Sequence, residues 1–164
     1  MLVVAWQKSE GKKAEGRRLM SLVTMKTLLE RAENGHRGVG AFSVGNMEMV
    51  KGAVQAAEEL NTSIILQIAE VRLKHSPLEL MGPMMVQAAK EAKVDIAVHL
   101  DHGLTAAAVQ KALDLGFTSV MFDSSTYPFE ENIERTKKVV ELAAKYGATV
   151  EAELGLVGGS EDGS

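Results

Sequence analysis

A chain of 164 residues, 46% hydrophobic and 24% charged, can bury the core of one domain and has the composition of an ordinary globular protein. Its formal charge of −4 argues against general nucleic-acid binding, because nothing offsets phosphate repulsion over the surface. No apolar run approaches the roughly 18–20 residues of a membrane span, and the absence of cysteine removes disulfides and thiolate metal sites. Cytoplasmic residence follows as the default.

Residues 1–21 differ from the rest. The apolar run at 1–6 is too short for a secretory segment, and its charges follow it rather than precede it. Lys8, Lys12, Lys13, Arg17 and Arg18, interspersed with Glu10 and Glu15, predict a disordered or poorly packed leader. The remainder, 22–164, reads as one unit. Met25, Leu28, Leu29 and Ala32 recur at helical spacing over 24–34, and Gly35 suits the stop. A small-residue strand follows at 38–44. Asn46 is placed to cap a helix whose apolar face is Met47, Val50, Val54, Ala57 and Leu60.

Residues 63–68 read as a strand apolar on both faces, and His75, Ser76 and Pro77 as part of a loop. A helix is expected from 78 to 92, kinked or restarted at Gly82-Pro83. The next strand begins near 94 and runs to Gly103. Thr105 caps a helix that stops at Gly116, and 118–122 is a strand ending at Asp123. Pro128 suits a first helical turn. The helix after it carries Phe129, Ile133, Thr136, Val140 and Ala143 and closes at Gly147. A fifth strand covers 149–154, and 155–164 is a glycine-rich polar tail.

Strands apolar on both faces, alternating with amphipathic helices, mean a parallel sheet covered by helices. Asn46, Glu70, Asp101, His102, Asp123 and the pair Glu151/Glu153 all fall at or near carboxyl ends of strands. A (β/α)₈ barrel builds its site there from several strands at once, whereas a doubly wound sheet concentrates it at one switch point. The α/β fold expected is therefore a TIM barrel. A full barrel needs about 250 residues, so only about five parallel strands are present. The sheet stays open, its first and fifth strands are bare edges, and the chain reads as a fragment.

Two short stretches carry chemistry. His99 and Asp101 share a strand face, with His102 at the strand end, where imidazole and carboxylate can hold a divalent metal and handle protons. Alone, this spacing is a weak signal. Glu151 and Glu153 strengthen it, because carboxylates in an apolar strand are costly unless paired or bound to a cation.

The ordered set of Gly40-Ala41-Phe42, Asn46-Met47-Glu48-Met49, His99-Leu100-Asp101-His102-Gly103, Gly116-Phe117-Thr118, Glu130-Glu131-Asn132-Ile133 and Glu151-Ala152-Glu153-Leu154-Gly155, with Gly158-Gly159-Ser160-Glu161-Asp162, resembles the class II, metal-dependent fructose-bisphosphate aldolases. The resemblance runs from about Leu22 to the last residue. It implies a zinc-dependent barrel that splits a phosphorylated ketose, fructose 1,6-bisphosphate, into dihydroxyacetone phosphate and glyceraldehyde 3-phosphate. It further implies His102 as a zinc ligand and Asp101 as the acid/base at the C4 hydroxyl. Glu161 would exchange the proton on the dihydroxyacetone phosphate carbon, and Asn46 would contact substrate. Asp123 and Glu153 would be acidic groups of the metal pocket.

The remaining Zn²⁺ ligands of the family lie beyond residue 164, so this chain by itself is expected to be inactive. The full-length family forms homo-oligomers. His99 is expected as a structural partner, and His36 and His75 as surface residues. Ala69 stands where many relatives have serine, and Ser43 and Gly45 where asparagines are common, which leaves tagatose bisphosphate as an alternative substrate. A non-catalytic aldolase-like scaffold and a metal-dependent hydrolase using His99 as a ligand are the competing readings.

Overall fold

The computed structural model describes residues 2–5 and 21–155. Its elements in chain order are β1 (Leu2–Ala5), α1 (Met25–Asn34), β2 (Gly40–Ser43), α2 (Met47–Glu59), β3 (Ile64–Ala69), α3 (Leu78–Glu91), β4 (Ile96–Gly103), α4 (Ala106–Asp114), β5 (Ser119–Phe122), α5 (Phe129–Ala144) and β6 (Thr149–Glu153). A 3₁₀ turn at Glu70–Lys74 follows β3. Thr24, Asn46 and Thr105 each cap a helix by accepting the N–H three residues on, which satisfies one of the unpaired donors of a first turn. Gly116 and Gly147 end their helices in the left-handed region, at φ +92° and +68°, where a side chain would be strained.

The strands form one sheet in the order β1-β6-β5-β4-β3-β2. β2 to β6 are parallel, as expected of consecutive strands joined by helices. β1 is antiparallel and pairs Leu2 with Glu153 through to Ala5 with Val150. Within the stretch expected as a leader, residues 2–5 form a strand, while residues 1 and 6–20 lie outside the described ones. The expectation of two bare edges changes with it. β2 is an outer edge, with all four residues exposed, while β1 covers the free side of β6.

The register sorts the sheet by residue number. Ile65 pairs with Ala97, Gln67 with His99, His99 with Ser119, and Ser119 with Thr149, so odd-numbered residues share one face across β3 to β6. The even face carries Ile64, Leu66, Ile68, Ile96, Val98, Leu100, Val120 and Val150, which pack with α2 to α5 into the main core. The odd face starts apolar, with Ile65 and Ala97 against Met25 and Leu28 of α1, and turns polar toward the carboxyl ends.

α1 is fastened to the amino-terminal ends of the strands. The Val23 N–H donates to Ile96 O at 2.9 Å, Lys26 N–H donates to Thr149 Oγ1 at 3.2 Å, and Arg31 pairs with Asp95. It therefore closes the odd face at the end opposite the polar one.

α3 runs unbroken from Leu78 to Glu91 with Pro83 inside, so the helix is not restarted there. Gly82 is explained by packing: a Cβ there would lie 2.9 Å from Leu115 Cδ1. Among the described residues no helix is long and apolar enough to cross a membrane.

Two glycines separate these constraints. A Cβ on Gly103 would lie 2.6 Å from the Met121 carbonyl oxygen, whereas Gly52, exposed within α2, has open space around it. Gly103→Ala is expected to destabilise the fold by about 1–3 kcal/mol through overpacking. Gly52→Ala is expected to stabilise it by about 0.5–1 kcal/mol. Urea unfolding midpoints moving in opposite directions would check the pair.

Candidate functional site

Strand alternation sends His99 and Asp101 to the odd face and would send His102 to the opposite one. The backbone intervenes. His102 has φ +39°, and the pairing of β4 with β5 shifts register between Leu100 and Gly103. Such a bulge re-aims a side chain, at a cost of about 1–2 kcal/mol for a non-glycine residue in this region.

Gly103 makes the bulge sterically possible, since its α-carbon lies against the Met121 carbonyl. The Asp123 N–H then donates to Gly103 O at 3.0 Å. His102 comes to lie with Nδ1 2.9 Å from Asp123 Oδ2.

Asp123 is anchored on its other oxygen, where Oδ1 accepts the Ser125 N–H at 3.0 Å and the Ser125 hydroxyl at 2.7 Å. Burial pushes its carboxyl up, but the hydrogen bonds from His102 and Ser125 outweigh this and hold it below its ordinary value. An ionised Asp123 can only accept, so Nδ1 of His102 is the donor. That tautomer leaves Nε2 to present a lone pair.

Glu153 completes the cluster. Donor atoms of His102, Asp123 and Glu153 lie within 4.8 Å of one another. Buried Asn132 braces this corner: its Nδ2 donates to Glu153 O at 2.8 Å, and its Oδ1 accepts the Ser124 hydroxyl at 2.6 Å.

Asp101 stands beside the cluster on β4, largely buried, with Oδ2 accepting from Gln67 Nε2 at 2.7 Å. The same nitrogen is 3.2 Å from Ser43 Oγ. Next along the odd face, His99 is buried with Nδ1 2.8 Å from Ser119 Oγ and Nε2 3.4 Å from Glu151 Oε2. The spacing suggests an ion pair, but the electrostatics oppose one. Burial, then repulsion from His102, pulls His99 down to about 3. Burial, then the charge of Asp101, pushes Glu151 up to about 7, against the pull of His102 and with Glu153 adding to the rise. His99 is thus a neutral, hydrogen-bonded part of the wall.

The expected site residues therefore divide. His102, Asp123 and Glu153 converge, and Asp101 adjoins them. Asn46 commits its Oδ1 to the Met49 N–H at 2.9 Å as the cap of α2, so its amide NH₂ is what it can present to a ligand. Glu161 lies outside the described residues. His36 and His75 are exposed.

From sequence, Gln67, Ser119 and Asn132 received no site role, although Asn132 lies in one of the motifs that carry the resemblance. Gln67 had a signal, being the one polar residue inside the apolar run of β3. Ser119 and Asn132 had none that spacing could expose. At the carboxyl ends of β2 and β3, a hollow of about 380 Å³ is lined by Ser43, Gly45, Ala69, Arg72 and His75 among others.

The chain matches the family described as "Fructose-bisphosphate aldolase class-II" over residues 23–164. It belongs to that family. It is 47% identical over 141 residues to a fructose-bisphosphate aldolase of Thermus caldophilus, covering 86% of this chain and 46% of that protein. It is 43% identical over 144 residues to one of Giardia intestinalis, covering 87% and 45%. A sulfofructosephosphate aldolase of Alkalicoccus urumqiensis is 41% identical over 143 residues, covering 87% and 50%.

Among solved structures, the YdjI aldolase from Escherichia coli K12 superposes with a TM-score of 0.79 at 35% identity, over 85% of this chain and 53% of that one. The chain thus spans about half the length of the curated relatives and solved structure it matches.

A divalent cation fits the donor set. An imidazole and carboxylates are N and O donors of the kind zinc accepts, and such atoms of His102, Asp123 and Glu153 lie within 4.8 Å of one another.

The wall gives a pH signature for the metal-free protein. His99, depressed from 6.5 to about 3, contributes stability that is lost as pH falls from about 6.5 toward 3. Glu151, raised from 4.5 to about 7, contributes stability that is lost as pH rises through that window. The two oppose each other between about 4.5 and 6.5. In His99→Gln the Glu151 contribution is expected to stand alone, so that stability in chelator falls as pH rises from about 4.5 to 7, read from urea midpoints across pH.

Proposed function

We propose that this chain supplies the amino-terminal, acid/base-bearing part of a class II aldolase that reversibly cleaves fructose 1,6-bisphosphate to dihydroxyacetone phosphate and glyceraldehyde 3-phosphate. The observation that carries this is the convergence of His102, Asp123 and Glu153 at the carboxyl ends of three adjacent strands, with Asp101 beside them.

In this reading His102 holds Zn²⁺ through Nε2, its ring oriented by Asp123, and Glu153 lines the same pocket. The ion, when bound, supplies positive charge beside the oxygen that becomes anionic as the C3–C4 bond breaks. Asp101 takes the proton from the C4 hydroxyl. Gln67 fixes one carboxylate oxygen of Asp101, aiming the group at the substrate rather than at the ion. The electron pair of the broken C3–C4 bond would stay on C3 of the dihydroxyacetone phosphate fragment, C4 would become the aldehyde carbon of the other fragment, and Glu161 would return a proton to C3. Asn46 contacts substrate through its amide, and the hollow lined by Arg72 is suited to a phosphate, which a guanidinium recognises well.

As the family resemblance implies, further zinc ligands would come from residues beyond this chain. The assembled enzyme is read as a homo-oligomer in the cytoplasm. A second substrate reading is favoured by one finding: a relative named for sulfofructosephosphate is as similar as several named for fructose bisphosphate. Product analysis with fructose, tagatose and sulfofructose phosphates decides among them, and fructose 1,6-bisphosphate is expected to be cleaved fastest.

The test is an aldol-cleavage assay with Zn²⁺, run on this chain and on a protein that continues it with the second half of the barrel. The chain by itself is expected to give negligible turnover, and the longer protein zinc-dependent cleavage. In the longer protein, Asp101→Asn is expected to lower kcat by about 10²–10⁴-fold while leaving zinc bound, and His102→Ala to lose the metal. A longer protein that binds no zinc would sink this reading.

A further inference from the structure

Glu70 stands at the carboxyl end of β3, and none of the roles above uses it. It opens the 3₁₀ turn after that strand, yet its side chain reaches the neighbouring strand end. Oε2 accepts the Leu104 N–H at 2.6 Å and the Thr105 N–H at 3.0 Å, and Oε1 accepts the Thr105 hydroxyl at 2.7 Å. Three bonds from one carboxylate to two consecutive residues make a clasp, strengthened by its negative charge at the first turn of α4.

The clasped residues directly follow His102 and Gly103. Upstream, β4 pairs regularly with β5 to Leu100 and with β3 to Asp101. On the other flank, Gly103 O accepts the Asp123 N–H at 3.0 Å. The left-handed backbone of His102, φ +39°, is therefore held between an anchor from β5 and an anchor from β3. A strained residue keeps its conformation only where its surroundings over-determine it. Leu104 is 54% exposed, so water can replace Glu70 as the partner of its N–H. Losing the clasp frees the turn without burying an unmet donor.

We propose that Glu70 is a positioning residue for the metal centre: it holds the 103–105 turn so that His102 stays inverted, with Nδ1 on Asp123 and Nε2 turned to the cation. This rests on the aldolase reading for the identity of the cation, but not for the orientation of the ring. Groups that orient a metal-ligating histidine from outside typically govern metal affinity by about 10–100-fold.

The experiment follows the His102 ring nitrogens by ¹⁵N NMR in the full chain, first in chelator and then during Zn²⁺ titration, for the unmodified protein, Glu70→Ala, Glu70→Gln and Thr105→Ala. Glu70→Ala removes the whole clasp. Glu70→Gln keeps one carbonyl acceptor for the backbone N–H groups. Thr105→Ala removes the α4 cap and one clasp bond but leaves both backbone bonds, so it matches a merely structural loss.

The unmodified protein is expected to show a single Nδ1–H tautomer. Glu70→Ala should average the two tautomers and weaken Zn²⁺ binding at His102 by about 10-fold or more. Glu70→Gln should fall between, and Thr105→Ala should keep the unmodified ring signals and affinity while lowering the melting temperature.

A single tautomer retained in Glu70→Ala would overturn the proposal. So would averaging of equal extent in Thr105→Ala, which would mark general loosening. Because the metal reading places further zinc ligands outside this chain, it is judged on the longer protein, and the tautomer comparison in chelator decides the role of Glu70 whether or not Zn²⁺ moves the His102 signals.

Discussion

The site depends on one backbone inversion. Every other polar residue of the odd face arrives there by strand alternation, but His102 is even-numbered and would otherwise join Leu100 in the core. The bulge after Leu100, the left-handed φ of His102 and the bare α-carbon of Gly103 against the Met121 carbonyl together bring it round to Asp123. The arrangement costs conformational energy, and it is offset by hydrogen bonds from two neighbouring strand ends. The side chains that could hold a metal thus gather where the sheet is locally least regular, as is common for residues held in sparsely populated conformations.

Beneath that inversion lies a wall that is polar but not charged in the way its residue types suggest. His99, Ser119 and Glu151 fill the odd face between the apolar plug of α1 and the cluster at the strand ends. Because burial disfavours both charged forms, His99 is neutral and Glu151 has a raised pKa. An extra positive charge just below His102 would compete with any cation bound there. A neutral histidine that still satisfies its partners supports the ring-bearing layer without that competition. The same burial makes the wall sensitive to pH in opposite directions at its two ends.

The open sheet also shows how the strand register serves the site. Parallel pairing in register from β3 to β6, broken only after Leu100 where β4 meets β5, keeps the odd positions before that point on one face, so carboxylates and imidazoles far apart in the chain fall into adjacent columns. The side of β6 away from β5 is covered by β1 in antiparallel pairing, while β2 presents an exposed edge. Exposed edges invite pairing with another strand, in keeping with a chain that spans about half the length of the aldolases it matches.

Much of this was legible in the residues alone. Helical spacing, the caps at Thr24, Asn46 and Thr105, and the stops at Gly116 and Gly147 placed the helices, because these are local effects of backbone hydrogen bonding. The ordered motifs identified the family, and alternation put His99, Asp101, Glu151 and Glu153 on one face. Four features were decided only by tertiary structure. The unbroken passage of α3 through Pro83 and the close approach at Gly82 depend on what packs beside them. The strand at residues 2–5 depends on a partner about 150 residues away. The bracing of the site by Gln67, Asn132 and Glu70 runs through side chains whose partners lie on other strands. The inversion of His102 needs the β5 backbone to be in place. Local sequence sets what each segment prefers, but which atoms meet across strands is set by register, and register exists only once the sheet has formed.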